Sequence, residues 1–151
     1  MDEGVAEQGF EEKVLAINRI AKKIRGGSRR RFAALVAVGD GKGKVGVGYG
    51  RARDVRSAIE KAKQKARRRM FSVPIKGATV PYRVEAKEGA AHIMIKPAPP
   101  GSGLIAGGAV RDLLELAGYR DASSKIFGTR NRTTNVRAVL KIFKRWGDEA
   151  K

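Results

Sequence analysis

Cysteine is absent from the 151 residues. With it go disulfides, thiolate metal sites and cysteine nucleophiles. Histidine is almost absent too. His92 stands alone, so the usual multi-histidine metal centre cannot be built. Its place beside Ile93, Met94 and Ile95 suits a packed or half-exposed strand residue better than a catalytic base. No apolar run approaches the ~20 residues of a spanning helix, and no charged start followed by an apolar stretch marks a signal peptide. The G-x-S-x-G and H-E-x-x-H motifs are missing. Glu85, Glu88, Asp112 and Glu115 default to surface ion pairs. The expectation is therefore no enzyme, no metal, no cofactor, no small-molecule substrate and no membrane. Acids are the remaining shortage: 15 against 33 Lys and Arg, for a net charge of +18. That imbalance favours a nucleic acid as partner.

What is present centres on Arg29 to Met70. A hydrophobic run, Phe32–Val38, meets the turn Gly39-Asp40-Gly41-Lys42-Gly43, and a glycine-spaced run, Lys44–Tyr49, follows. Two strands joined by Asp-Gly predict a hairpin. Val55, Ala58, Ile59, Ala62, Ala66 and Met70 have helical spacing, with the stripe free to pack on the hairpin. Asp54 is placed to cap that helix. The segment carries Arg53, Arg56, Lys61, Lys63, Lys65, Arg67, Arg68 and Arg69, with only Asp54 and Glu60 to offset them. Repulsion among so many cations gains nothing for folding, so a polyanion-facing surface is the reading preferred over a plain solvated face.

Met1 to Glu12 is acidic and carries no cation; a flexible tail is expected over residues 1–10. Lys13–Ile24 fits either period, and a strand is chosen because the next two segments need a partner. Lys22–Arg31 (KKIRGGSRRR) holds six cations around Gly26-Gly27 and is read as a flexible cationic finger. Pro74 and Lys76-Gly77 mark a boundary between a unit over 11–74 and another over 75–147, with a tail over 148–151. In the second unit Thr79–Ala86 and Ala91–Lys96 read as a hairpin. A glycine-rich loop follows the prolines, then a helix over Ala109–Ala117 stopped by Gly118. Ser123–Phe127 is a short strand and Thr134–Trp146 the last helix.

Two glycine patterns invite a nucleotide. Gly41-Lys42-Gly43-Lys44-Val45-Gly46 matches G-x-G-x-x-G, but the glycines lead into a strand rather than the helix that pyrophosphate binding needs. Gly101, Gly103, Gly107 and Gly108 do sit between a strand and a helix. There a structural loop and an RNA phosphate contact are about equally supported. Tyr49 could stack on a base, although the hairpin core is the better use for it.

The run Phe32–Ala52 with Gly26-Gly27, then Ala58–Ala62 and Ala66–Arg68, resembles bacterial small-subunit ribosomal protein S5. The resemblance resumes at Lys96–Ala98, Gly101–Arg111 and Leu114–Gly118 and covers roughly Phe10 to Ala138. It implies an α+β fold of two small two-layer α/β domains. The first would be like a double-stranded-RNA-binding domain, a three-stranded antiparallel sheet plus helix. The second would be hairpin, helix, strand and helix with a left-handed crossover. It also implies a cytoplasmic, ribosome-bound structural protein that binds 16S ribosomal RNA and supports subunit assembly and decoding accuracy. Proteins S4 and S8 would be neighbours, and messenger RNA, where it enters the subunit, a weaker partner. Carried over to this chain, the RNA-contacting loop is Lys22, Lys23, Arg25, Gly26, Gly27 and Arg29, with Arg30 beside it. Lys42, Lys44, Arg51 and Arg53 belong to or flank the signature hairpin, and Arg56 opens the cationic helix. Gly101 and Gly103 fall in the second glycine loop. Asn131 matches a family G-[ST]-x-N-P motif in which Arg132 replaces the proline, which puts that turn in question. Many relatives carry a longer tail than the few residues after Trp146. The competing reading is a free-standing regulator that binds duplex nucleic acid.

Overall fold

In a computed structural model of the chain, residues 10–24 and 27–150 are described. The expected tail lies outside them up to residue 9. The first sheet has the order β1-β2-β3-β4, formed by Glu11–Ile24, Gly27–Gly39, Lys44–Ala52 and Phe71–Ser72. All its pairings are antiparallel. The fold is α+β, with a fourth strand beyond the three expected. β4 pairs only Lys44 with Ser72 and Val45 with Phe71, too short for any periodicity to reveal.

Helix α1, Val55–Arg68, lies across this sheet. Its stripe is alanine, Ala58, Ala62 and Ala66, all fully buried. Facing it on β3 are Gly46, Gly48 and Gly50. A Cβ on these would come within 2.2, 2.2 and 2.5 Å of the carbonyl oxygens of Ala66, Ala62 and Ala58. The periods match: two strand residues advance about 6.7 Å and four helix residues about 6 Å. The spaced glycines therefore seat a helix at backbone contact.

β2 reads as an unbroken hydrophobic run because both its faces are covered. Ala34 and Val36 pack with α1, while Leu35 and Ala37 join the core of the second lobe. That lobe has a sheet ordered β5-β6-β8-β7, from Val84–Glu88, Ala91–Pro97, Ala122–Ile126 and Leu104–Ile105. Helices α2, Gly108–Ala117, and α3, Arg132–Glu149, complete it. β7 pairs parallel with β8; it was hidden in the glycine loop. β5 starts at Val84 rather than Thr79. Pro81 lacks an N–H, and Thr79 makes only isolated bridges to Lys76 and Asp121. α3 exceeds its expected span at both ends, so residues 148 and 149 are helical rather than tail. Trp146, Phe143 and Tyr119 pack mutually with centroids 6.0–6.2 Å apart. Tyr119 donates to the Pro74 carbonyl at 2.6 Å, and burial raises its pKa.

Candidate nucleic-acid interface

The β1–β2 ladder outruns the rest of the sheet. β3 ends where Ala52 pairs Phe32, yet β1 and β2 continue through Ile20↔Arg31, Ala21↔Arg30, Lys22↔Arg29 and Lys23↔Ser28 to Ile24↔Gly27. The expected floppy finger is thus a two-stranded projection. The strands run up to Ile24 on one side and resume at Gly27 on the other, and the ladder gives their backbones the hydrogen bonds that a loop would have left to water. Arg25 and Gly26 lie outside the described residues; Lys22, Lys23, Gly27 and Arg29 are placed by the ladder alone. The register sets Lys22 opposite Arg29.

At the base of the projection Arg30 and Arg31 are exposed. So are Arg51, Arg53 and Arg56, which the Phe32↔Ala52 rung brings to the same end of the sheet. Arg51 lies over the Tyr49 ring at 5.6 Å, and Tyr49 is half-buried against the shared core. From there α1 runs back along β3. Asp54 caps it by accepting from the Ser57 N–H at 3.0 Å, and that bond holds its carboxyl below the usual range. The outer face presents Lys61, Lys65, Arg68 and Arg69 to solvent. Lys61 also donates to the Arg51 carbonyl at 3.2 Å.

One acid had partners the sequence did not reveal. Glu12, at the end of the acidic stretch, sits in β1 and meets Lys63 at 3.8 Å and Arg67 at 3.4 Å. Lys63 also meets Glu60 at 3.7 Å. The inner cations of α1 thus have acids while the outer ones keep their charge for solvent. The remaining carboxylates pair as the sequence suggested. Glu85 meets Arg83 and His92, Glu88 meets Lys141, and Asp112 and Glu115 meet Lys13 at 3.5 and 2.5 Å.

Lys42 and Lys44 flank the hairpin turn with exposed side chains. Asp40 organises the turn, accepting from their backbone N–H groups at 2.7 and 3.0 Å. The glycine amides point elsewhere: Gly41 donates to Leu116 O at 3.0 Å and Gly43 to Ala117 O at 2.8 Å. The first glycine pattern therefore caps the C-terminus of α2 and offers no phosphate cradle. Of the second pattern, Gly101 and Gly103 adopt positive φ, +87° and +75°. The Gly103 N–H donates to Asp121 at 2.9 Å. Asp121 is buried and was missed; an acid at a strand start carries no signal of its own. Asn131 caps α3, its side-chain oxygen accepting from Thr134 N at 3.3 Å. Arg132, in the proline's place, donates to Leu15 O at 3.0 Å. The β1 register shifts between Val14 and Ala16, so the bulge leaves a carbonyl for it.

Of the described candidates, Arg30, Arg51, Arg53 and Arg56 are exposed at one end of the first sheet and Lys42 and Lys44 at the other. Gly101, Gly103 and Asn131 belong to the other lobe. The chain matches the family models for ribosomal protein S5, N-terminal domain, over residues 10–74 and ribosomal protein S5, C-terminal domain, over residues 86–146. It is 48% identical over 136 residues to the small ribosomal subunit protein uS5 of Acidithiobacillus ferrooxidans, covering 89% of this chain and 77% of that one. With uS5 of Lawsonia intracellularis the identity is 47% over 135 residues, covering 89% and 83%. The uS5c protein of Spinacia oleracea is 50% identical over 133 residues, which are 87% of this chain and 43% of that one. Sheet, alanine-striped helix, second lobe and both family models agree: the chain belongs to the ribosomal protein S5 family, non-enzymatic structural constituents of the small ribosomal subunit.

Proposed function

We propose that this protein binds 16S ribosomal RNA through the projection, the end of the sheet carrying Arg30, Arg51, Arg53 and Arg56, and the outer face of α1. The observation that carries this reading is the sorting of charge on α1. Lys63 and Arg67, on the inner side, meet acids, whereas Lys61, Lys65, Arg68 and Arg69 face solvent. A surface evolved for solubility alone would not segregate its cations this way. The work is positional: neutralise phosphates and hold RNA helices in fixed relation, at the ribosome in the cytoplasm. Support of subunit assembly and decoding accuracy, contacts with proteins S4 and S8, and a place where messenger RNA enters the subunit belong to the same proposal.

Binding of the purified chain to 16S RNA tests it. With ~6–10 phosphates engaged, affinity falls ~10³–10⁵-fold between about 50 and 200 mM salt. Replacing Lys22, Lys23 and Arg25 together by Ala lowers affinity and removes protection of the RNA at the projection. A flat salt dependence, or unchanged protection, overturns the reading. Co-sedimentation with small subunits at high magnesium separates it from a free-standing duplex-binding regulator, which would stay in the supernatant.

A further inference from the structure

β1 is the outer strand of the first sheet. Its residues Glu12, Val14, Ile17 and Arg19 pair with Val38, Val36, Ala34 and Phe32. Residues directly opposite in a ladder share a face, and Ala34, Val36 and Phe32 pack with Ala58 and Ala62 of α1. These four β1 side chains therefore stand on the helix side of the sheet. The body of α1 lies over β2 and β3, so Val14 and Ile17 stay 42% and 46% exposed. Phe32 and Ile59, half-buried, form the inner margin of this apolar strip. Charge borders it at both ends. Toward the C-terminus of α1, Glu12 meets Lys63 and Arg67. Toward the N-terminus of α1, Arg56 is exposed, and Asp54 offsets part of its charge. Arg19, at the same end, is exposed and lies over the Phe32 ring at 5.8 Å.

An apolar strip with a basic far end fits a short segment that carries acids beyond a small apolar pair. The chain supplies such a segment itself. Residues 1–9, which precede the described part, read MDEGVAEQG: Asp2 and Glu3, then Val5 and Ala6, then Glu7, with no cation. They join the fold at the right place. β1 begins at Glu11, beside the C-terminal end of α1 where Glu12 meets Arg67. A segment turning back there runs along the strip toward Arg19, and Gly9 permits the turn. Glu12 to Arg19 spans about 23 Å at ~3.3 Å per residue, and nine extended residues reach ~30 Å. Counted back from a turn at Gly9 and Phe10, Val5 comes level with Val14, and Asp2 and Glu3 reach the stretch from Ile17 to Arg19. We infer that residues 1–9 fold back over this strip, with Val5 resting on Val14 and Ile17 and with Asp2 and Glu3 facing Arg19 and Arg56. A tethered segment meets its site at an effective concentration on the order of mM, so individually weak contacts suffice. One consequence rests on the RNA-binding reading above: Arg56 belongs to the surface proposed for RNA, so the segment and the RNA compete for it.

The lack of cysteine makes the test direct. A nitroxide attached to Gly4→Cys is then the sole label, and it sits next to Val5. In the full chain without RNA, the label is expected to broaden the methyl signals of Val14 and Ile17 and to leave that of Ile93, in the sheet of the second lobe, sharp. Adding Val5→Asp restores the lost intensity. So does neutralising the acids together with Asp2→Asn, Glu3→Gln and Glu7→Gln. All these positions precede β1, so the fold stands in each variant. Val14 and Ile17 signals as sharp with the nitroxide as after its reduction overturn the inference. A mixture of isotope-labelled chain without nitroxide and unlabelled chain with it is expected to show no broadening; broadening there puts a second copy on the strip and also overturns the inference. Removing residues 2–9 is expected to raise affinity for 16S RNA severalfold at low salt and less at high salt; an unchanged affinity overturns the competition. If the strip is empty and RNA still binds, the inference falls and the RNA reading stands. If the strip is filled and the chain shows no salt-dependent 16S binding, the inference stands and the RNA reading falls.

Discussion

Gly48→Ala puts the contact between β3 and α1 to a direct test. The added Cβ would lie 2.2 Å from Ala62 O, 2.5 Å from Ala66 N and 2.9 Å from Lys65 Cβ. The first two are backbone atoms of a helix and cannot rotate away. Reaching an ordinary contact of 3.4 Å requires the helix to lift by about 1.2 Å. Ala58, Ala62 and Ala66 are fully buried, so a lift of that size loosens the whole stripe. Overpacking of this kind costs ~1–3 kcal/mol. Replacing glycine in a strand returns ~0.5–1 kcal/mol of chain entropy. A net loss of ~1–2 kcal/mol is expected, read as a lower urea midpoint at unchanged m-value. Gly46 and Gly50 meet the same helix one turn to either side. Once the helix has lifted for one methyl, the next meets less resistance, so Gly46→Ala with Gly48→Ala is less destabilising than the two losses added. Gly41→Ala is the control. Its Cβ meets nothing within 4 Å, but its φ of +70° strains any other residue, which costs ~1–2 kcal/mol without displacing α1. A Gly48→Ala midpoint equal to wild type, or strict additivity with Gly46→Ala, refutes the close-contact account.

Asn131→Ala removes the α3 cap and is expected to cost ~1 kcal/mol, with Asn131→Ser recovering most of it; loss of RNA affinity without loss of stability would show a contact role instead. Arg132→Pro restores the family residue at a helix position where proline is favoured. It loses a charged hydrogen bond worth ~1.5–3 kcal/mol and regains ~0.4–1 kcal/mol of chain entropy. A net loss of ~1 kcal/mol or more is expected, with faster amide exchange around the Leu15 bulge; unaltered exchange there refutes the assigned contact. Glu115 has its pKa lowered chiefly by the hydrogen bond from Lys13. A depressed carboxylate contributes stability above its ordinary value of 4.5 and loses it as pH falls through the folded value. Lys13→Met therefore raises the Glu115 titration midpoint in carbon NMR and flattens the acid limb of stability below pH 4.5; an unmoved midpoint refutes the pairing.

Much of the first lobe was legible because local signals agree there. Asp-Gly set the hairpin, the alanine period set α1, and Asp54 set its cap. The alternating glycines were visible, but not their purpose, since nothing local says that a helix backbone will lie against them. What stayed hidden depended on distant partners. Glu12 gave no sign of its partners because its cations lie more than fifty residues away in α1. Phe71–Ser72 and Leu104–Ile105 are two-residue strands, defined by their neighbours rather than by a period. The projection was read as a loop because Gly26-Gly27 argues locally for a break, and only the pairing of Lys22–Ile24 with Gly27–Arg29 overrides it.

The turn Gly39–Gly43 explains why a phosphate-like pattern occurs in a protein that does not use it that way. A Cβ on Gly39 would strike Leu116 O at 2.2 Å, and one on Gly118 would strike Gly41 O at 2.5 Å. The two glycines let the hairpin turn and the end of α2 meet backbone to backbone. Gly41 and Gly43 then donate to the last carbonyls of α2, and an amide engaged there cannot also hold a phosphate. The same boundary is fastened by Leu35, Ala37 and Val45 in the common core, by Lys13 on α2 and by Arg132 on β1. These fastenings act at separate points along the boundary, so a hinge about any one of them would break the others. The positional role proposed above needs that property. The glycines supply it by bringing two backbones closer than any side chain would allow, leaving Lys42 and Lys44 exposed outside the joint.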